Sequence, residues 1–226
     1  MPVIVTCSTK GGVGKSTTAL LLAQVLCEAG SSVTLIDADP NQPIARWAER
    51  TGTLPEKLRV APNVNEQTVL DIIDEATGRD PFVIVDLEGS ANLTTTYAIS
   101  RADLVLIPMR GKQLDADEAA KIVALIEREG KAFRRQIPYR VMFSMTSALR
   151  SKEMKHIEKM LADRGIPMLN TAMAERAAFS AIFQLGGSIY DLTPEDVANP
   201  NAAIQNAQLV AADIVDQLRE QGAIAA

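Results

Sequence analysis

The chain has 226 residues, 47% of them apolar and 4% aromatic, with a formal charge of −5 at pH 7. That length suits one domain, 1–226, with a sizeable core. No run of about 18 apolar residues occurs and no charged segment followed by a signal-type apolar run opens the chain, so neither a membrane span nor a secretory leader is expected and the expected compartment is the cytoplasm. The two cysteines, Cys7 and Cys27, form no C-x-x-C pair, which argues against iron–sulfur and zinc sites. A single histidine, His156, supports neither a histidine-rich metal site nor a Ser-His-Asp triad.

Residues 3–7 form an apolar run that predicts a buried strand, and 19–29 predict an apolar helix. Between them lies Lys10-Gly11-Gly12-Val13-Gly14-Lys15-Ser16-Thr17-Thr18. Strand, glycine-rich loop and helix are the context of a phosphate-binding loop: the glycines let successive backbone N–H groups turn inward around an anion, and the helix adds the positive end of its dipole. Lys15 is then placed for the terminal phosphates and the Ser16 hydroxyl for Mg²⁺. The strict pattern G-x-x-x-x-G-K-[ST] wants glycine where this chain has Thr9. The loop is a deviant one, and the extra lysine, Lys10, is part of the deviation. A tight turn with a solvated charge is the alternative.

After Gly30 a strand is predicted over 32–36, ending at Asp37-Ala38-Asp39-Pro40. A short helix follows over 44–50, carrying Trp47, then a weak strand over 58–61 and a helix over 66–76. Gly78-Arg79-Asp80-Pro81 breaks the chain before the apolar strand 82–86, which ends in Asp86. A short helix to Ser100, a strand over 104–108, a helix over 114–129 and a strand over 139–145 come next. A helix over 151–164, a short strand near 167–169, and helices over 176–185 and 201–220 complete the chain. Continuous apolar strands alternating with helices predict an α/β fold, a mostly parallel twisted sheet with helices on both faces. Ligands in such sheets bind beyond the carboxyl ends of the strands, and the glycine-rich loop, Asp37 with Asp39, and Asp86 each end an apolar run. Asp86 reads as a Walker B carboxylate holding Mg²⁺ directly or through water, against the alternative of a capping or surface aspartate.

The string Lys-Gly-Gly-Val-Gly-Lys-Ser-Thr resembles the ParA/MinD family of deviant Walker A ATPases, closest to its small single-domain partition proteins. The resemblance implies a P-loop NTPase fold with ATP and Mg²⁺ as cofactors. It makes Lys15 the ordinary P-loop lysine and Lys10 the lysine that reaches the nucleotide of a partner subunit. Nucleotide contacts then come from Lys10, Gly11, Gly12, Val13, Gly14, Lys15, Ser16 and Thr17. Asp37-Ala38-Asp39-Pro40 resembles the family's D-x-D-P motif, which gives Asp39 the attacking water and Asp37 a supporting place, with Ser16 and Asp86, in the Mg²⁺ shell; helix capping is the alternative. Leu87-Glu88-Gly89-Ser90 stands where the family has switch II, and Glu88 departs from the small or proline residue expected there. Residues 171–176 resemble a segment near the nucleotide and dimer face, and Met145 and Thr146 are placed to approach the base. Slow, partner-stimulated hydrolysis would make the ATP-bound homodimer a timer.

Charge is unevenly spread. Ten Lys/Arg against four acids give residues 128–164 a charge of +6, leaving −11 on the rest. On the helix over 151–164, Lys152, Lys155, His156 and Lys159 fall on one face, preceded by Arg150, while Met154, Ile157 and Leu161 fall on another. Arg150, Lys152, Lys155 and Lys159 are therefore candidate contacts to duplex DNA phosphates, with a solvated face paired to Glu153 and Glu158 as the alternative. The resemblance implies non-specific nucleoid DNA and a cargo-bound activator of ParB type as partners. The last helix carries Asp213, Asp216 and Glu220 with Arg219 its only base, a poor match to an anionic membrane, so no stable membrane association is expected. The expected function is plasmid or chromosome partition. A MinD-like membrane regulator, a protein-cluster positioning ATPase and a metabolic ATP-dependent synthetase of the same fold are the alternatives.

Overall fold

A computed structural model describes residues 1–147 and 151–224. The elements run β1 (Val3–Thr6), α1 (Lys15–Glu28), β2 (Val33–Ala38), α2 (Pro43–Thr51), β3 (Leu58–Ala61), α3 (Val69–Thr77) and β4 (Phe82–Leu87) in the first half. The second half runs α4 (Leu93–Arg101), β5 (Leu104–Met109), α5 (Gln113–Phe133), β6 (Tyr139–Phe143), α6 (Lys152–Asp163), α7 (Ala177–Leu185) and α8 (Pro200–Glu220). The strands form one sheet in the order β3-β2-β4-β1-β5-β6, and every pairing is parallel.

Strands buried on both faces cannot alternate polar and apolar residues, which is why β1, β2, β4 and β5 read as mainly apolar runs. Two clusters of core side chains cover the two faces. Leu20, Trp47, Ile182 and Ile214 lie in one, under α1, α2, α7 and α8; Ile73, Ile99, Ile126 and Ile157 lie in the other, under α3, α4, α5 and α6. The register decides what meets at the carboxyl edge. Thr6 of β1 and Asp37 of β2 both stand opposite Asp86 of β4, so three polar residues far apart in sequence form one row.

Several expected element ends shift, among them the strand expected over 139–145, which stops at Phe143, and the helix expected over 114–129, which runs to Phe133. The first helix starts at Lys15 rather than 19, because its first turn is built from the polar Lys15, Ser16 and Thr17, which an apolar pattern does not detect. The helix expected from 66 starts at Val69, since the Asn65 side chain and carbonyl take the N–H groups of Gln67 and Thr68 in a turn. The strand near 167–169 is a single parallel bridge, Val141 to Met168, with Val141 N–H on the Pro167 carbonyl; Pro167 has no N–H to extend it. Among the described residues no helix is long and apolar enough to cross a membrane.

Candidate nucleotide-binding site

Gly12 and Gly14 have φ of +69° and +88°, a left-handed backbone that only glycine adopts cheaply. Gly14 precedes α1 directly, and no side chain caps that helix. Its leading N–H groups are thus left for a ligand, and an anion is the partner the dipole favours. The loop is pinned from beneath: the Ser144 hydroxyl donates to the Val13 carbonyl at 2.6 Å and the Thr18 hydroxyl to the Gly14 carbonyl at 2.7 Å. Lys15 is 7% exposed, with Nζ 3.5 Å from the Lys10 carbonyl. A cavity of about 560 Å³ opens above the loop, lined by Lys15, Ser16, Thr17, Asp39, Glu88 and Gly89 among others.

Asp86 is fully buried beneath this cavity. Oδ1 accepts from the Thr6 hydroxyl at 3.1 Å, whereas Oδ2 has no hydrogen-bond partner among the described residues. Burial pushes its carboxyl group up to about 7; the nearby Ser16 hydroxyl opposes the rise, Asp37 adds to it, and Lys15 and Thr6 oppose it. A buried, unpartnered carboxylate oxygen beside a serine hydroxyl suits a hard divalent cation, so these residues fit Mg²⁺.

Asp37 is buried too, and burial raises its pKa. The N–H groups of Ala45, Asp39 and Ile44 oppose that rise; Oδ2 takes Ile44 and Ala45, both at 2.9 Å, and Oδ1 takes Asp39 at 3.3 Å. The side chain caps α2, the alternative that the sequence left open. Asp39 is half-buried at the cavity wall, its Oδ1 holding the Asn41 N–H at 2.7 Å. Cys7, behind the loop, has its thiol pushed up to about 12 by burial, with Lys15 pulling the other way, and is inert as a nucleophile.

The structure adds residues that the sequence reading did not single out. Lys10 Nζ pairs with Asp115 Oδ1, and the Thr9 hydroxyl donates to Glu118 one turn further along α5. Arg110, past the end of β5, donates from Nη2 to the Gly12 carbonyl and from its backbone N–H to Asp115 Oδ2 at 3.2 Å. One signal was present: Asp115 lies on the same helical stripe as Ala119, Ile122 and Ile126, an acid on a face that is otherwise core. Glu88 accepts from the Ser90 hydroxyl and from Asn92 Nδ2 at 2.7 Å, and Asn92 caps α4. Gly89 lies against the loop, where an added Cβ would meet Gly11 N at 3.5 Å. Glu88 thereby shapes the turn between β4 and α4.

On α6, Lys152, Lys155, His156 and Lys159 are exposed and Met154, Ile157 and Leu161 are buried. Glu153 is turned toward α5, where Lys112 Nζ (3.2 Å) and the Gln113 N–H (3.3 Å) hold it. Among the described residues no ion pair engages Lys152, Lys155 or Lys159. Arg150 lies outside the described residues. Thr146 bridges to Ala174, and Met145, Met173, Glu175, Arg176 and Phe179 line a small cavity beside Gly14 and Thr17.

The sequence matches the family described as VirC1 protein over residues 1–223. A protein named ParA from Rhizobium radiobacter is 42% identical over 221 residues, covering 97% of this chain and 99% of that one. The chain belongs to the VirC1 family, within the ParA/MinD group. A VirC1 protein, also from Rhizobium radiobacter, is 30% identical over 82% of each chain. The solved structure of the cell division ATPase MinD from Pyrococcus furiosus superposes on this VirC1-family chain with a TM-score of 0.73 at 15% identity, covering 96% of this chain and 99% of that one. That likeness is one of fold, a parallel sheet with helices on both faces.

Proposed function

We propose that this chain is a ParA-type partition ATPase that dimerises on ATP, binds duplex DNA without sequence preference as the dimer, and is reset by slow hydrolysis that a cargo-bound partner protein of ParB type accelerates. The observation that carries the reading is the pairing, in one loop, of a nearly buried Lys15 with a second, more exposed lysine, Lys10, above an Asp86 oxygen that lacks a partner among the described residues. The 42% identity to a protein named ParA supports partition over other chemistry on this fold.

Gly11 to Thr17 would cradle the phosphates through backbone N–H groups, and Lys15 would neutralise the terminal ones. Ser16 and Asp86 would hold Mg²⁺, which supplies charge neutralisation between the phosphates. Asp37, with Oδ2 on two α2 N–H groups and Oδ1 on the Asp39 N–H, would support that shell by fixing the turn that carries Asp39. Asp39, at the cavity wall, would orient the attacking water. Lys10 would cross to the phosphates of the other subunit, and the cavity beside Met145 and Phe179 would take the base. Lys152, Lys155 and Lys159 would neutralise DNA phosphates, with nucleoid association the result. A membrane-docking reading finds no support in α8, whose apolar stripe of Ala207, Ala211, Ile214 and Leu218 is buried in the core.

The deciding experiment is binding of the purified chain to unrelated duplex DNA with ATP, with ADP and without nucleotide, across a salt series. ATP-specific binding that weakens steeply with salt is expected. Absence of binding in all three states would overturn the DNA part of the proposal.

A further inference from the structure

We infer that Arg110 takes the place of Lys10 on Asp115 when Lys10 crosses to a partner subunit, and is therefore the positioning residue that makes the in-trans reach possible. The inference rests on the dimer reading above. Asp115 is 2% exposed in the first turn of α5. In the isolated chain it holds two groups, Lys10 Nζ on one oxygen and the Arg110 N–H on the other.

Lys10 cannot serve its own Asp115 and another subunit's phosphates together. Once it leaves, Asp115 keeps one backbone N–H and the helix dipole, and a buried carboxylate without a counter-ion is strongly disfavoured. A replacement cation has to come from nearby. Lys15 is turned into the loop and is needed for the subunit's own nucleotide. Lys112 is paired with Glu153 at 3.2 Å, and Lys121 with Glu118 at 2.6 Å. Arg110 is exposed, and its own N–H already touches the carboxylate.

The present contact of Arg110 is easily given up. Its guanidinium lies over the loop on the Gly12 carbonyl, so close that a Cβ at Gly12 would meet Nη2 at 3.5 Å. Gly12 is exposed, so water can replace the guanidinium there. Thr9 stays tied to Glu118, which holds the base of the loop while Lys10 swings. One cation thus replaces another on Asp115, and the exchange removes the desolvation penalty that would otherwise keep Lys10 at home.

The test uses the full chain with Mg²⁺ and the non-hydrolysable analogue AMPPNP, reading the dimer dissociation constant by sedimentation and analogue binding by calorimetry. Arg110→Ala is expected to weaken the dimer on the order of tenfold or more, by a larger factor than it changes analogue affinity of the monomer. Asp115→Asn removes the charge that needs compensation, so Arg110→Ala combined with Asp115→Asn should return to near the wild-type dimer, and Arg110→Lys should retain most of it. A merely structural role for Arg110 gives no such rescue. A wild-type-like dimer from Arg110→Ala, or a double variant as weak as the single one, overturns the exchange. If the wild-type chain forms no nucleotide-dependent dimer, the dimer reading falls and takes the exchange with it.

Discussion

Asp86 has one oxygen on Thr6 and the other without a partner among the described residues, in a site that raises its pKa to about 7. Unfolded, the same group titrates near its ordinary value of about 4. Between those values the folded chain holds a proton that the unfolded chain has released, so stability falls as pH rises from about 4 to about 7, by as much as about 4 kcal/mol. In EDTA and without nucleotide, Asp86→Asn should therefore raise the melting temperature at pH 7.5, with the gain shrinking toward pH 4. A gain that is flat across pH would show that the charge is not its source. Lys15 and Asp39 separate binding from turnover. In the proposed function Lys15 meets the phosphates in the ground state, so Lys15→Ala should cost on the order of 100-fold in ATP affinity. With the attacking water as its proposed target, Asp39→Ala should keep affinity within a few fold and slow turnover on the order of 100-fold; ATP binding and single-turnover hydrolysis measured together distinguish the two. The loop glycines, Lys15 and Ser16 were legible in the sequence because a phosphate loop is a local structure. Asp115 and Arg110 were not, because they meet Lys10 and Gly12 respectively across about 100 residues of chain.

At the scale of elements, α2 owes its start to Asp37. Pro43 opens it without an N–H to lose, and the Asp37 carboxylate takes the next two N–H groups from the end of β2. Asp37→Ala should cost about 2 kcal/mol in urea unfolding without nucleotide or metal, since it orphans buried donors. If Asp37 served the metal alone, stability without metal would not change. The strands were legible because burial on both faces demands apolar runs. Element ends were less so: α1 starts on polar residues, the bridge at Met168 falls short of a strand beside Pro167, and β6 stops at Phe143, with Met145 at a φ of +51°. Each of those ends is decided by one backbone hydrogen bond or one dihedral angle, below what a hydrophobic pattern carries.

Over the whole molecule, an acidic chain carries a net positive charge in residues 128–164, and the exposed side of α6 carries Lys152, Lys155 and Lys159 while Glu153 is drawn to α5. Replacing the three lysines by glutamate should weaken DNA binding at least tenfold, by order of magnitude, and flatten its salt dependence by up to about 0.9 per lost phosphate contact. The fold should survive, since the buried face of α6 is untouched; equal affinity at every salt concentration would move the DNA surface elsewhere. By itself the sequence determined the α/β alternation, the glycine-rich loop between β1 and α1 and the amphipathic division of α6, because each is written in residues close together in the chain. Only the tertiary structure decided that Thr6 and Asp37 flank Asp86, that Asp37 caps α2, and that Lys10 rests on a buried Asp115 beside Arg110. Strand order and register bring those groups together, and both are set by how all the strands pack at once.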